Sequence, residues 1–424
     1  MRFLYVPLLV ALAAGPSVAI GWIEHRLDTH FMGGVWVDAA DIDGDEDPDI
    51  AAVADIDNEL VWCENDSRGG FTLHLVDSTD AGINSVAAVD IDRDGDMDLL
   101  TSAYVADDIA WWENDGQEDF TCHVITTGFD CAINAQAADL DGDADIDVFG
   151  TAMLGNKVSW FENDGQESFS EHVIVSGYIG AHGIAAADID RDLDVDLVTA
   201  AAGPDDISWW ENDGSGNFTR HWLDGTIPDA CVICPADLDR DGDIDIIAGG
   251  YQDYRIYLYE NDSGQVFTRR QLGTAFSTPV SLCAGDLDQD RDIDVVGASF
   301  GRNEIAWWRN DGDTAFTKQL IAQSYNGAAA VDAADLDHDS DLDVVSVGTG
   351  GPLSRWENVA SGIEETGRSL KLATRIVTVT SPTAPLLAGE ALYDATGRRV
   401  TDVKPAPGVY CNAGGRAGRL VVTR

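Results

Sequence analysis

The chain has 424 residues, 76 Asp and Glu against 25 Lys and Arg, and a formal charge of −51. A surface this acidic repels polyanions, which excludes nucleic acid and anionic membranes as default partners, and seven divalent ions would still leave it strongly negative. With 45% hydrophobic residues and 12 Trp, the composition is that of a folded chain, not a disordered one.

In chain order, Arg2 precedes a short apolar run to Ala14, followed by Gly15-Pro16 and Ser17-Val18-Ala19. This pattern predicts a secretory signal peptide over residues 1–19, cut near Ala19, and a secreted or cell-surface protein. The apolar run is shorter than the ~20 residues that cross a bilayer, and no later stretch is longer, so no transmembrane span is expected.

From residue 20 to 361 the chain repeats every 49 residues. The marker is a nine-residue comb with a carboxylate at every odd position. The first carries Asp41, Asp43, Asp45, Asp47 and Asp49; the second Asp90, Asp92, Asp94, Asp96 and Asp98; the third Asp139, Asp141, Asp143, Asp145 and Asp147. The fourth carries Asp188, Asp190, Asp192, Asp194 and Asp196, and the fifth Asp237, Asp239, Asp241, Asp243 and Asp245. The sixth has Asp286, Asp288, Asp290, Asp292 and Asp294, and the seventh Asp335, Asp337, Asp339, Asp341 and Asp343. Alternating Asp makes a poor strand, and charges this dense need a cation among them. Oxygen ligands at positions 1, 3, 5 and 9, with a backbone carbonyl at 7, suit calcium better than magnesium, which keeps its waters and demands an octahedron. Up to seven calcium ions are therefore expected. Position 2 is always Ile or Leu, and the residue after position 9 is Ile, Leu or Val, so each comb reads as the turn of a β-hairpin anchored at both ends.

These combs resemble the D-x-D-x-D-G-x-x-D loop of FG-GAP and VCBS repeats, and the resemblance implies a calcium-binding β-propeller of the integrin α-chain type over about residues 20 to 360. Where that family has Gly at position 6, this chain has Glu46, Gly95, Ala144, Leu193, Gly242, Arg291 and Ser340. The loops beginning at Asp90 and Asp237 are expected to bind best, because Gly permits a left-handed turn there.

A second periodic feature precedes Glu-Asn-Asp, or Arg309-Asn310-Asp311 in the sixth repeat: Trp62-Cys63, Trp111-Trp112, Trp160-Phe161, Trp209-Trp210, Leu258-Tyr259 and Trp307-Trp308, while Arg355-Trp356-Glu357-Asn358 comes one residue early. Neighbours on a strand point to opposite faces, and inner strands of a propeller blade are covered on both, so these pairs are assigned to the core rather than to sugar stacking. The Asn-Asp-Gly that follows signals a turn. A third feature, Phe-Thr-x-His, recurs at Phe71, Phe120, Phe218 and with variation elsewhere; its His becomes Arg270 and Gln319, which marks a polar outer-strand slot. Six such strands follow seven combs. Stepping back 49 residues from Phe71 and His74 reaches Trp22 and His25, so the N-terminal strand supplies the missing outer strand of blade seven. The fold is expected to be all-β, a seven-bladed propeller closed by its N-terminal strand.

In this topology the combs lie on one face and the inter-blade connections open on the other. One slot in those connections reads Phe31, Asp80, Phe129, Tyr178, Ile227, Phe276 and Tyr325. Its aromatics, Phe31, Phe129, Tyr178, Phe276 and Tyr325, either plug the blade junctions or ring the channel mouth as a ligand platform.

Residues 362–424 form a separate segment with nine Lys and Arg against five acids between Ile363 and Arg424, and with strand patterns at Arg375–Thr380 and Arg419–Thr423. Leu392-Tyr-Asp-Ala-Thr-Gly-Arg-Arg-Val400 and Pro407-Gly-Val-Tyr410 resemble a C-terminal sorting domain of the type IX secretion system, which implies a small β-sandwich and the outer-membrane secretion machinery as a partner. The seven Cys are too sparse for a disulfide framework; Cys122 and Cys131 flank one connection within reach of a bridge, and Cys234 and Cys283 share a slot. No hydrolase elbow, zinc-protease helix or phosphate loop is present, and His182 is the one histidine outside the outer-strand slot kept as a catalytic candidate. The expected function is a monomeric binding or adhesion module for an extracellular glycan or protein; the alternative is a carbohydrate-active enzyme such as a polysaccharide lyase.

Overall fold

The computed structural model describes residues 20–360, apart from 68, 263, 275, 313 and 314, together with five short strands beyond them. It divides into two compact units, 1–361 and 362–424. The signal-peptide residues lie outside the described part, as does most of the segment 362–424 to which the sorting-domain reading belongs. Of the second unit the backbone pairs Arg375–Val377, Leu392–Asp394, Arg399–Val400, Gly408–Asn412 and Arg419–Thr423 into one five-stranded sheet.

The first unit contains seven four-stranded antiparallel sheets. In blade one the strands are Gly34–Ala40, Asp49–Ala54, Glu59–Asn65 and Phe71–Asp77, and the comb is the loop between the first two. The same order repeats up to blade six. Blade seven has Ala328–Ala334, Asp343–Gly348 and Leu353–Ala360, and its outer strand is Ile20–Asp28, with Trp22 opposite Asn358 and His25 opposite Arg355. The N-terminal strand thus closes the ring, and blade seven has no open outer edge against its third strand.

Second strands such as Asp49–Ala54 are buried at every residue, which explains their continuous apolar sequence. The aromatic pairs pack between blades: Trp62 is 1% exposed, Trp111 1%, Trp307 1% and Trp308 0%. Four of the outer-strand histidines stack on them, with His74, His123, His172 and His221 lying 4.2–4.7 Å from Trp62, Trp111, Trp160 and Trp209. The same histidines bond through Nε2 to Glu64, Glu113, Glu162 and Glu211 at 2.6–2.9 Å, so this polar slot is part of the outer-strand packing.

Candidate metal centres on the comb face

Each comb folds as a wheel of carboxylates around its own backbone. The position-1 Asp accepts the position-6 N–H through Oδ2 in all seven loops, at 3.0 Å from Glu46 to Asp41 and 3.2 Å from Gly95 to Asp90. The position-5 Asp accepts the position-7 N–H in all seven, as Asp45 does from Asp47 at 3.0 Å. The position-9 Asp is essentially fully buried and accepts the third-strand Asn N–H through Oδ1, as from Asn65 to Asp49 at 2.7 Å.

Position 6 has positive φ in every loop, including Glu46 at 75°, Leu193 at 78° and Arg291 at 79°. The left-handed turn expected of Gly is therefore imposed on non-glycine residues, with a strain that calcium-free loops have little to offset. Position 4 is left-handed as well, at Gly44, Arg93, Gly142, Arg191, Arg240, Gln289 and His338, a requirement the sequence conceals because only two of the seven are Gly.

The donor set fits a hard divalent cation. Oδ1 of the position-1 Asp is buried with no hydrogen-bond partner at Asp41, Asp90, Asp188, Asp237, Asp286 and Asp335. Carboxylate oxygens of Asp90, Asp92 and Asp98, of Asp139, Asp141 and Asp147, and of Asp188, Asp190 and Asp196 lie within 4.8 Å of one another, as do those of Asp41, Asp43 and Asp45. Buried carboxylate oxygens without donors, converging in one loop, are what a bound cation satisfies. Burial, opposed by the two backbone N–H bonds, raises the pKa of Asp49, Asp98, Asp147, Asp196 and Asp245 to about 7, and that of Asp294 to about 8.

Two features connect one loop to the next. The Asn of Glu-Asn-Asp, read from the sequence only as a turn residue, reaches across the blade junction: Asn114 Nδ2 donates to the Ile42 carbonyl of the preceding comb and to Met97 of its own, both at 3.1 Å. Asn212, Asn261, Asn310 and Asn358 repeat this, and Asn65 donates to Leu336 across the junction of blades seven and one; the Asn163 side-chain amide bonds only Ile146 of its own comb, so six of the seven junctions carry the link. Its signal was the recurrence of one Asn in all seven repeats, 49 residues apart through the first six. Asn114→Ala should cost roughly 2–4 kcal/mol in chemical denaturation, since two buried carbonyls lose their donor; a loss under about 0.5 kcal/mol would remove the lock from the account. Position-4 side chains form the second link, with Arg191 3.0 Å from Asp243, Arg240 3.0 Å from Asp292, and His338 paired with Asp47.

On the opposite face, burial agrees with the junction-plug reading of the aromatic slot and contradicts the ligand ring. Phe31, Phe129, Tyr178, Phe276 and Tyr325 are 0–5% exposed and cannot stack a sugar. The backbone N–H of four of them is tied to the end of the neighbouring second-to-third turn, Phe129 to Asp107, Tyr178 to Asn156, Phe276 to Tyr254 and Tyr325 to Asn303, which turns the ring down into the blade junction. There Phe276 meets Trp308 edge-on at 4.7 Å, and the Tyr178 hydroxyl donates to Asp206 at 2.7 Å. Exposed apolar groups instead occupy the second-to-third turns: Ile56, Val105, Leu154, Tyr251, Tyr254 and Phe300 are 36–65% exposed, and Tyr251 and Phe300 of adjacent blades lie 6.3 Å apart.

His182 lies on an inner strand and donates through Nδ1 to the Cys231 carbonyl of the next blade at 3.1 Å; burial lowers its pKa, so it is a neutral structural link. Cys122 and Cys131 are free thiols, as are Cys63, Cys231, Cys234 and Cys283.

Comparison with known proteins agrees with this geometry. The FG-GAP-like repeat family matches residues 41–101, 139–199, 194–248, 237–296 and 286–346. No curated protein sequence matches the chain. Among solved structures, an Agrocybe aegerita lectin that recognises non-reducing terminal N-acetylglucosamine is 16% identical, with a TM-score of 0.51 over 77% of this chain and 86% of the lectin. Virginiamycin B lyase from Staphylococcus aureus is 13% identical, with a TM-score of 0.57 over 80% of this chain and 100% of the lyase. At such identities the likeness is one of fold. The repeats, matched over more than half of its length and folded as seven blades, place this chain in the FG-GAP-like repeat family.

Proposed function

We propose that the protein is a secreted or cell-surface binding module, a calcium-stiffened propeller that takes a glycan or protein ligand on the face opposite its combs. The observation that carries this reading is the set of exposed side chains Ile56, Val105, Leu154, Tyr251, Tyr254 and Phe300 on the second-to-third turns, all on that one face. Exposed aromatics beside one another offer flat apolar area for sugar rings or for a partner's side chains. On the comb face, calcium in the first loop would be held by Asp41, Asp43, Asp45 and Asp49 with the carbonyl of Asp47, and the combs beginning at Asp90, Asp139, Asp188, Asp237 and Asp286 would act likewise through their equivalent positions. The ion would supply neutralising charge for five clustered carboxylates. The chain's own residues do the rest: the Asn lock ties combs together at six of the seven junctions, and the ring holds the turns of the far face in register. The signal-peptide and sorting-like sequences support export, with the C-terminal segment addressing the outer-membrane machinery.

The test is a glycan array in calcium with the wild type and a Tyr251→Ala/Tyr254→Ala/Phe300→Ala variant. Because these side chains are exposed, the melting temperature should move little, while glycan retention is lost. Equal retention by both proteins would remove this face as the binding surface. An assay for unsaturated or reducing-end products, run beside it, would favour the lyase-like alternative only if product accumulates.

A further inference from the structure

We propose that the seventh loop carries its own cation, the guanidinium of Arg355, and takes no divalent ion, so that the ring binds six at most; this rests on the calcium reading of the other combs. The register identifies the exchange. Arg355 pairs with Val345 on the second strand of blade seven, the place held in blades one to six by Trp62, Trp111, Trp160, Trp209, Leu258 and Trp307. Six blades present an apolar group at this slot; the seventh presents a charge.

That charge is 3% exposed and is spent on the loop's carboxylates. Nε donates to Asp343 Oδ2 at 2.9 Å, Nη2 lies 2.8 Å from the same oxygen, and Nη2 also bonds Asp337 Oδ2. Asp337 and Asp343 are positions 3 and 9, two of the carboxylates that a divalent ion would need. In the other six loops the position-9 Oδ2 accepts the position-2 N–H instead, at 2.9–3.1 Å. Asp335, Asp337 and Asp341 each keep one buried oxygen without a partner, so the loop retains spare lone pairs. A divalent ion drawn to them would still sit against a buried guanidinium, and like charges at such range in a low dielectric repel each other strongly. Blade seven is also the blade closed by the N-terminal strand, where His25 lies opposite Arg355. An internal cation makes the closing blade independent of the calcium supply.

Bound calcium should be counted by native mass spectrometry on the full chain and on Asp92→Asn, Asp337→Asn and Arg355→Leu, the last installing the side chain that blade five carries at this slot. Relative to wild type, Asp92→Asn should lose one ion, Asp337→Asn none, and Arg355→Leu should gain one. Loss of an ion by Asp337→Asn, or seven ions on the wild type, would overturn the proposal even if Arg355→Leu fails to fold. If the wild type and Asp92→Asn both bind no calcium, the reading of the combs as calcium loops is overturned instead.

Discussion

Calcium depletion should lower the melting temperature of the protein by about 5–20 °C, because a loop with a dissociation constant of ~0.1–1 mM contributes about 0.4–1.4 kcal/mol in millimolar calcium and six of them act on one ring. The sum, roughly 2–8 kcal/mol, is comparable with the whole stability of an ordinary domain. The loops should not contribute equally. Asp94 and Asp192 are equivalent and each accepts the N–H two residues on, at 3.0 Å in both. Their loops differ at position 6, where Gly95 takes its left-handed φ without a side chain and Leu193 is forced to 78° while 88% exposed. Asp94→Ala should therefore remove more calcium-dependent stability than Asp192→Ala. A melting curve unmoved by chelation would end the metal reading.

The same loops give the calcium-free protein a distinctive pH response. Burial holds Asp49, Asp98, Asp147, Asp196 and Asp245 near 7, above the ~3.9 of an unfolded Asp. Between those values the folded chain binds more protons than the unfolded one, so this source of stability is full below about pH 4 and is lost as pH rises through about 7. Calcium-depleted protein should thus melt higher at about pH 5 than at about pH 8, and saturating calcium should flatten or reverse that slope. A calcium-free melting temperature that rises steadily with pH over this range contradicts the burial argument.

What the sequence disclosed and what it concealed divide along one line. A strict 49-residue period made the combs, the paired aromatics and the split seventh blade legible, because a repeat without insertions must be a repeat of structure. Periodicity says that a slot is equivalent in each blade, but not which way it points. Phe31 and Tyr178 were thus ambiguous between plug and platform until the turn geometry drove them inward. The left-handed backbone at Arg93 and Gln289 left no mark on residue type. Asn114 satisfied a familiar turn pattern, and its second bond, to Ile42, crosses 72 residues. The early arrival of Arg355 was visible as a shift of one residue, yet only the register shows that the displaced side chain enters the comb.

Deleting residues 20–28 should have the second large effect and yield an aggregating or unfolded chain. The strand pairs along Leu353–Ala360, with eight residues matched from Ile20 to Asp28. Trp22 and Ile20 pack against the cluster of Trp307, Tyr325 and Trp356, and Leu27 against that of Phe31 and Leu353. Removing those apolar contacts and the ladder of backbone bonds costs about 4–8 kcal/mol, enough to exhaust a typical domain's stability. It also bares Leu353–Ala360 as a flat edge strand, a template for pairing with another chain. The strand begins at Ile20, immediately after the expected cut near Ala19, so signal removal would leave the closing strand whole at the new N-terminus. A chain starting at Thr29 should therefore fail to give a sharp monomeric melting transition, and a peptide of residues 20–28 added in trans should restore part of it. If the truncated chain stays monomeric and melts within about 2 °C of the full chain, closure by this strand contributes far less than its contacts imply.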